Sequence, residues 1–339
     1  MKKSLIALAV LAASGAAMAQ SSVTLYGVAD AGVTYLNGND NWSGVTSGNN
    51  LTSRLGFRGT EDLGGGLKAN FVLEGGFNLD NGDGASGYAG AKAGEGFQFK
   101  RRSTVGLSGG FGEVRMGREL TAAYNATARY DVFGSVGIGQ SRLWADGGVV
   151  DASANATAVT TNQRISNALT YVSPDFSGFK FGLNYGFGET TASNSDSGYL
   201  GAGLTYDNGP LSLGLGLERL KSGANSVATS DIDAWSLGGS YDLGVAKLLA
   251  GYRQSTVDNF AFASTGADAK RKGYMLAVTA PVGPGLVRAA YNRYQDSQTG
   301  TADAKADHFA IGYIYSLSKR TSVYGTYAYL KNKNGGTRF

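Results

Sequence analysis

The chain has 339 residues, a formal net charge of +4, one histidine and no cysteine. So balanced a charge excludes the dense basic surface of a nucleic-acid binder. The missing thiols and single imidazole, His308, exclude thiolate chemistry, histidine-rich metal sites and any serine–histidine–aspartate triad not built on His308, so no catalytic residue, metal or cofactor is expected.

The N-terminus has the parts of an export signal. Lys2 and Lys3 form a basic start, Leu5 to Ala17 form an apolar run, and Ala17-Met18-Ala19 places small residues where signal peptidase cuts. The run is short of the roughly 20 apolar residues of a membrane helix. Residues 1–19 are therefore expected to be a cleaved signal peptide and residues 20–339 a single domain, with 28 basic against 26 acidic residues. Any electrostatic function must come from the placement of charges.

From Val23 onward apolar and polar residues alternate with period two, as strands with two different faces require. In Val23–Tyr35 the odd positions include Val23, Leu25, Val33 and Tyr35, and the even ones Thr24, Asp30 and Thr34. The same pattern runs through Phe179–Phe187, Pro210–Glu218, Ala234–Tyr241, Lys247–Arg253, Tyr274–Ala280 and His308–Leu317. These runs match the roughly 9–11 residues with which a tilted strand crosses a bilayer. Between them, tight connectors such as Asp62–Gly66, Gly109–Gly112 and Val282–Gly285 alternate with long polar ones such as Asn37–Asn50, Leu79–Gly96 and Leu120–Gln163. The expectation is an all-β, antiparallel up-and-down barrel of fifteen strands and a short sixteenth, with short turns in the periplasm and long loops outside.

A large soluble sandwich or solenoid is the rival fold. Its core could not hide arginine, lysine and carboxylates on one face of so many strands, whereas a water-filled lumen surrounded by lipid can. No apolar stretch after Ala19 is long enough for a membrane helix, so any crossing is made by strands. Tyr35, Phe57, Tyr171, Tyr206, Tyr241, Tyr291, Tyr294, Tyr315 and Tyr329 sit near strand ends, where they would form interfacial belts.

Specific words strengthen this reading. Ser22-Val23-Thr24-Leu25-Tyr26-Gly27-Val28-Ala29-Asp30, Ser53-Arg54-Leu55-Gly56-Phe57-Arg58-Gly59, Glu61-Asp62-Leu63-Gly64-Gly65-Gly66-Leu67, Arg101-Arg102-Ser103-Thr104-Val105-Gly106-Leu107, Phe111-Gly112-Glu113-Val114-Arg115-Met116-Gly117-Arg118 and the terminal Phe339 resemble the Gram-negative general porins, in particular their burkholderial, bordetellar and neisserial branch. The resemblance implies a sixteen-stranded outer-membrane barrel, a homotrimer embedded in lipid, and a third long loop folded into the channel. It also implies a full-length final strand. Here Tyr329-Leu330 is followed by Lys331-Asn332-Lys333-Asn334-Gly335-Gly336-Thr337-Arg338-Phe339, so the last loop and most of strand sixteen look absent. Closure by the first strand and a shortened variant both stay open.

The resemblance implies a channel, so the charges expected to act are those of lumen parity. Arg54 and Arg58 in the second predicted strand, Lys68 in the third, Lys100 and Arg102 in the fourth, Arg115 in the fifth and Arg164 in the sixth are expected to form one basic wall. Glu74, Glu119 and Asp131 are expected to supply an opposing acidic side, Asp131 from a segment, Asp131–Gly139, that resembles the porin constriction loop. Opposed charges across a narrow passage would sort ions. Asn-Ala-Thr at 125–127 and 155–157 is a chance match to the glycosylation pattern. The expected activity is passive diffusion of ions and small hydrophilic solutes, inorganic anions preferred. A channel selective for a sugar or an organic acid is the alternative, but it calls for a lumen-side aromatic ladder and only Tyr26 and Tyr199 fit. A barrel enzyme needs a nucleophile and a base, for which a single histidine is poor provision, and a plugged adhesive barrel would carry no current.

Overall fold

The structure, a computed structural model, describes residues 22–38, 41–84, 96–144, 163–188, 198–221, 231–257, 269–298 and 303–334. The expected signal peptide, residues 145–162 of the long loop, the second Asn-Ala-Thr and Phe339 lie outside these. The strands are β1 (Ser22–Val28), β2 (Ala31–Leu36), β3 (Trp42–Ser47), β4 (Arg54–Gly64), β5 (Leu67–Gly76), β6 (Arg102–Gly109), β7 (Gly112–Leu120), β8 (Arg164–Val172) and β9 (Phe179–Gly186). They continue with β10 (Tyr199–Asn208), β11 (Leu211–Leu220), β12 (Ile232–Asp242), β13 (Lys247–Val257), β14 (Ala269–Val282), β15 (Gly285–Gln298), β16 (Ala304–Ser316) and β17 (Ser322–Lys333). A short helix, α1 (Ala122–Thr127), follows β7. Among the described residues no helix is long and apolar enough to cross a membrane.

Fifteen strands form one antiparallel sheet in the order β1, β4 and then β5 to β17, each bonded to the next in that order. This is the up-and-down arrangement expected, and it pairs the backbone groups that lipid could not satisfy. Outward residues are apolar and exposed, with Val23 at 68% and Leu25 at 62% of full exposure and Met116, Leu200, Leu237 and Leu276 alike. The register links them in rows, for example Leu215, Leu237, Tyr252 and Tyr274 across β11 to β14. Inward residues include Arg58, Arg115, Asn184, Ser236 and Asn292.

Three local expectations are corrected. The run Val23–Tyr35 is not one strand, because it breaks at Asp30. The buried Asp30 carboxylate accepts the N–H groups of Asn49, Asn50 and Leu51 at 3.2, 3.0 and 2.8 Å. That clamp diverts the chain into a separate two-stranded sheet of β2 and β3. Tyr294 belongs to no interfacial belt, since it points inward, is buried, and its hydroxyl accepts the Arg142 N–H at 2.9 Å. Lys331, Asn332 and Lys333 are not the start of a new segment but the end of β17, opposite Asp307, Ala306 and Lys305. β1 and β17 are the sheet edges, and among the described residues no ladder joins them. A hydrogen bond from the Tyr324 hydroxyl of β17 to the Asp30 carboxylate ties the two sides.

The largest apolar cluster lies inside the barrel. Tyr130, Phe133, Leu143 and Trp144 of the long third loop pack on Leu249, Met275, Ala277, Ala290, Ala306 and Ala310 of the inner wall. α1 lies against β9 to β12. The wall makes room by having no side chain there. A Cβ on Gly214 would stand 2.1 Å from the Ala126 carbonyl oxygen, one on Gly203 2.2 Å from that of Ala122, and one on Gly251 2.2 Å from the Trp144 ring. Two inward polar groups complete the seat: Asn184 accepts the Ala122 N–H, and Ser236 shares a hydrogen bond with Thr127 at 3.1 Å.

Gly214→Val therefore forces α1 off the wall, an overpacking cost of about 1–3 kcal/mol. The unfolding temperature of the variant should fall, whereas Gly325→Ala, with nothing within 4 Å of the new methyl, should leave it unchanged.

Candidate functional site

With the third loop seated on β9 to β16, the remaining inner wall stays uncovered. There β1, β4, β5, β6 and β7 present Thr24, Arg58, Asn70, Arg102, Glu113 and Arg115 around a recess of about 390 Å³. Arg58 faces Thr24 across the β1–β4 ladder and Val72 across β4–β5. Its guanidinium lies 5.4 Å from the centre of the Tyr26 ring, and it has no carboxylate within ion-pair distance among the described residues.

The acids do not stand across the passage as expected. Glu74 is set into the basic wall, 2.7 Å from Arg101 and 3.7 Å from Arg54, and it accepts the Tyr26 hydroxyl at 3.0 Å. Glu119 is buried in the same wall, 2.8 Å from Arg115 and 3.8 Å from Arg102. Glu113 holds Arg115 from its other side at 2.8 Å. The parity of a strand residue tells which face it is on but not which wall curves opposite it, and the cations nearest in register took these carboxylates. Asp131 is turned into the loop itself and accepts the N–H groups of Phe133, Ser135 and Ser141 at 2.9, 3.0 and 2.9 Å. Burial pushes its carboxyl above the usual range, against the pull of those N–H groups. It shapes the loop and does not line the passage.

Three of the seven expected cations also sit elsewhere. Lys68 is exposed beside the β4–β5 turn, opposite Asp62 and Ser108. Lys100 precedes β6 and is not part of it, and its carbonyl accepts the Arg118 guanidinium at 2.6 Å. Arg164 does not point inward beside Ile165. Asn167, at φ 51°, breaks the alternation so that Ile165 packs inside with Ala168 and Tyr199. The Arg164 guanidinium bonds to the Arg101 carbonyl at 3.0 Å and to Gln163 at 3.1 Å.

Alternation alone predicts Arg101 outward, but β6 begins one residue later and parity does not apply before it. The run Lys100-Arg101-Arg102 was the available signal. Arg253, Arg271 and Arg288 are inward too, yet all three belong to the covered wall. Arg253 pairs with Glu218 at 2.5 Å, Arg271 with Asp296 at 3.5 Å, and Arg288 lies 4.3 Å over the Phe133 ring. The one histidine, His308, is a structural contact of the same kind, 3.0 Å from the Ile138 carbonyl of the loop. Tyr199 is buried and donates to Glu218 at 3.1 Å. The open wall thus holds five guanidinium groups, of Arg54, Arg58, Arg101, Arg102 and Arg115, against the carboxylates of Glu74, Glu113 and Glu119.

A sheet apolar outside and polar inside, with a loop folded into its lumen and an open charged wall, is a water-filled channel through a lipid bilayer. The family follows from comparison: residues 5–335 match the Gram-negative porins, and the chain belongs to that family. It is 46% identical over 347 residues to outer membrane porin protein 32 of Delftia acidovorans, covering 99% of this chain and 92% of that one. It is 34% identical to an outer membrane porin protein of Bordetella pertussis, over 98% and 95% of the two chains. An anion-selective porin from Comamonas acidovorans superposes with a TM-score of 0.78 at 41% identity, over 94% of this chain and 91% of that one. The protein is an outer-membrane porin.

Glu119→Gln leaves Arg115 still paired with Glu113, whereas Glu74→Gln leaves the more enclosed Arg101 guanidinium with no carboxylate among the described residues. Thermal unfolding should show the larger loss for Glu74→Gln. An equal loss would mean that water in the lumen solvates both sites alike.

Proposed function

We propose that the protein is a general diffusion porin that passes inorganic anions and small hydrophilic solutes, with anions preferred over cations. The observation that carries this reading is Arg58: a guanidinium with no carboxylate partner among the described residues, on the open wall, in a recess shared with Arg102 and Arg115. An anion passing that wall trades part of its water shell for these groups, while a cation meets a net positive field in a narrow, low-dielectric passage. The anion-selective porin from Comamonas acidovorans, with its closely similar chain, supports the same reading. No bond is made or broken, and no cofactor is needed.

Arg58, Arg102 and Arg115 are the selectivity residues of this reading, Arg54, Arg101 and Glu74 set the field behind them, and Glu119 holds Arg102 and Arg115 in place. The third loop sets the bore. Deleting residues 132–140 should raise single-channel conductance while the barrel still folds. Replacing Arg58 and Arg102 together by glutamine should move the zero-current potential in a KCl gradient toward potassium, with little change in the unfolding temperature. An unmoved potential would place the selectivity elsewhere.

The functional unit in this reading is a homotrimer, exported with residues 1–19 as a cleaved leader. The exposed apolar outer face of β1 and β2, with Val23, Leu25 and Val33, is suited to a neighbouring barrel. Unheated electrophoresis and crosslinking should give a species near three times the mass of the mature chain, whose N-terminal residue should be Gln20. A strictly monomeric band would refute the trimer.

A further inference from the structure

Arg58 is without an ion pair among the described residues although a carboxylate lies within its reach. In the β4–β5 ladder Gly56 stands opposite Glu74, Arg54 opposite Gly76 and Arg58 opposite Val72. Arg54 and Arg58 thus flank Gly56, two residues to either side, and both are diagonal neighbours of Glu74. Such neighbours are about 7–8 Å apart, a span that a long side chain covers. Arg54 covers it and lies 3.7 Å from the Glu74 carboxylate. Arg58 does not, and is exposed.

What separates the two arginines is Tyr26. It stands opposite Gly56 on β1, in a cross-strand row of Tyr26, Gly56, Glu74 and Arg102. The ring lies over the glycine: a Cβ on Gly56 would stand 2.6 Å from Tyr26 Cζ and 2.7 Å from the hydroxyl oxygen. Only the missing side chain lets the hydroxyl pass β4 and donate to Glu74 at 3.0 Å. The other oxygen of Glu74 takes Arg101 at 2.7 Å. The Arg58 guanidinium stands over the ring, 5.4 Å from its centre. A guanidinium held by its face against a ring keeps its in-plane N–H groups free, whereas one forked onto a carboxylate gives up two of them.

We propose that Tyr26 is a positioning residue for ion selectivity, whose ring keeps Arg58 from pairing with Glu74 and so leaves that cation free to face a passing anion. The inference rests on the reading of Arg58 as a selectivity residue. It gives the two parts of the side chain different tasks. The ring is the spacer, filling the room over Gly56 that the Arg58 side chain would cross. The hydroxyl adds one hydrogen bond to a carboxylate that Arg101 and Arg54 already hold, so the ring without it suffices. With the ring gone, Arg58 closes on Glu74 and one positive charge of the recess is cancelled.

The test is the zero-current potential of the whole protein in a planar bilayer under a KCl gradient, at low salt, where the wall charges are least screened. Tyr26→Ala should lower the permeability ratio of chloride to potassium about twofold or more, toward that of Arg58→Gln. Tyr26→Phe, which keeps the ring, should retain the wild-type ratio. Tyr26→Ala combined with Glu74→Gln should show the ratio of Glu74→Gln alone, because no carboxylate then stands diagonal to Arg58. Gly56→Ala, whose methyl would push the ring aside with Tyr26 unaltered, should lower the ratio in the same direction, and it takes the place of Tyr26→Ala if that variant does not fold. A ratio unchanged in both Tyr26→Ala and Gly56→Ala would overturn the proposal. So would a loss in Tyr26→Phe as large as in Tyr26→Ala, or an equal loss from Tyr26→Ala with and without Glu74. A wild-type channel with no anion preference would overturn this inference and the proposed function together, whereas any of the other three results in an anion-preferring wild type overturns this inference alone.

Discussion

Everything about this channel depends on how closely one segment of backbone approaches another. The carbonyls of Ala122 and Ala126 sit where the Cβ atoms of Gly203 and Gly214 would be, and the rings of Tyr130 and Trp144 fill the same kind of space at Gly238 and Gly251. Interiors are close-packed, so a wall bearing ordinary side chains there would hold the loop away. Because the glycines are on β10 to β13, the loop lies along that half of the barrel and the free bore lies against the other. The division into a covered and an open wall follows from four missing side chains.

The charges obey the same division. Guanidinium groups occur on both walls, but those of the covered wall are spent on the loop and its surroundings: Arg253 on Glu218, Arg288 on Phe133 and the Val132 carbonyl. On the open wall the carboxylates of Glu74, Glu113 and Glu119 hold most of the arginines in fixed positions without cancelling them all. An arginine held by an acid is a better-placed donor than a free one, since the ordering cost has been met in folding. The field at the bore is thus set by a small excess of charge in a rigid frame, which is why a mature chain of nearly balanced charge can still sort ions.

The strands and turns were legible in the sequence because a two-faced strand must alternate, and the turns because tight connectors need residues such as Gly64, Gly112 and Gly178, all at positive φ. What escaped was non-local. The break at Asp30 comes from N–H groups some twenty residues later, and alternation from Val23 to Tyr35 continues through it undisturbed. The placement of Arg164 failed at a single irregular residue, Asn167, after which parity is reversed. Glu74 and Glu119 were assigned to the correct face and the wrong wall, since alternation carries no information about curvature. The seat of the loop did have a signal: glycines of inner parity recur on neighbouring strands, and that pattern can be read only once the strands are placed side by side.

The absence of cysteine from the chain makes the division of walls directly measurable. Asn70→Cys puts a thiol in the recess beside Arg58 and Arg102, and Ser236→Cys puts one beneath α1, where Ser236 is fully buried. At about 0.15 M salt, where charges are screened beyond roughly 8 Å, only the arginines nearest the thiol should affect its reactivity. The thiol at 70 should react faster with a sulfonate-bearing methanethiosulfonate than with a trimethylammonium one of similar size, lowering conductance as it does, and the thiol at 236 should not react. Faster reaction of the cationic reagent at 70, or equal labelling of the two positions, would contradict the account.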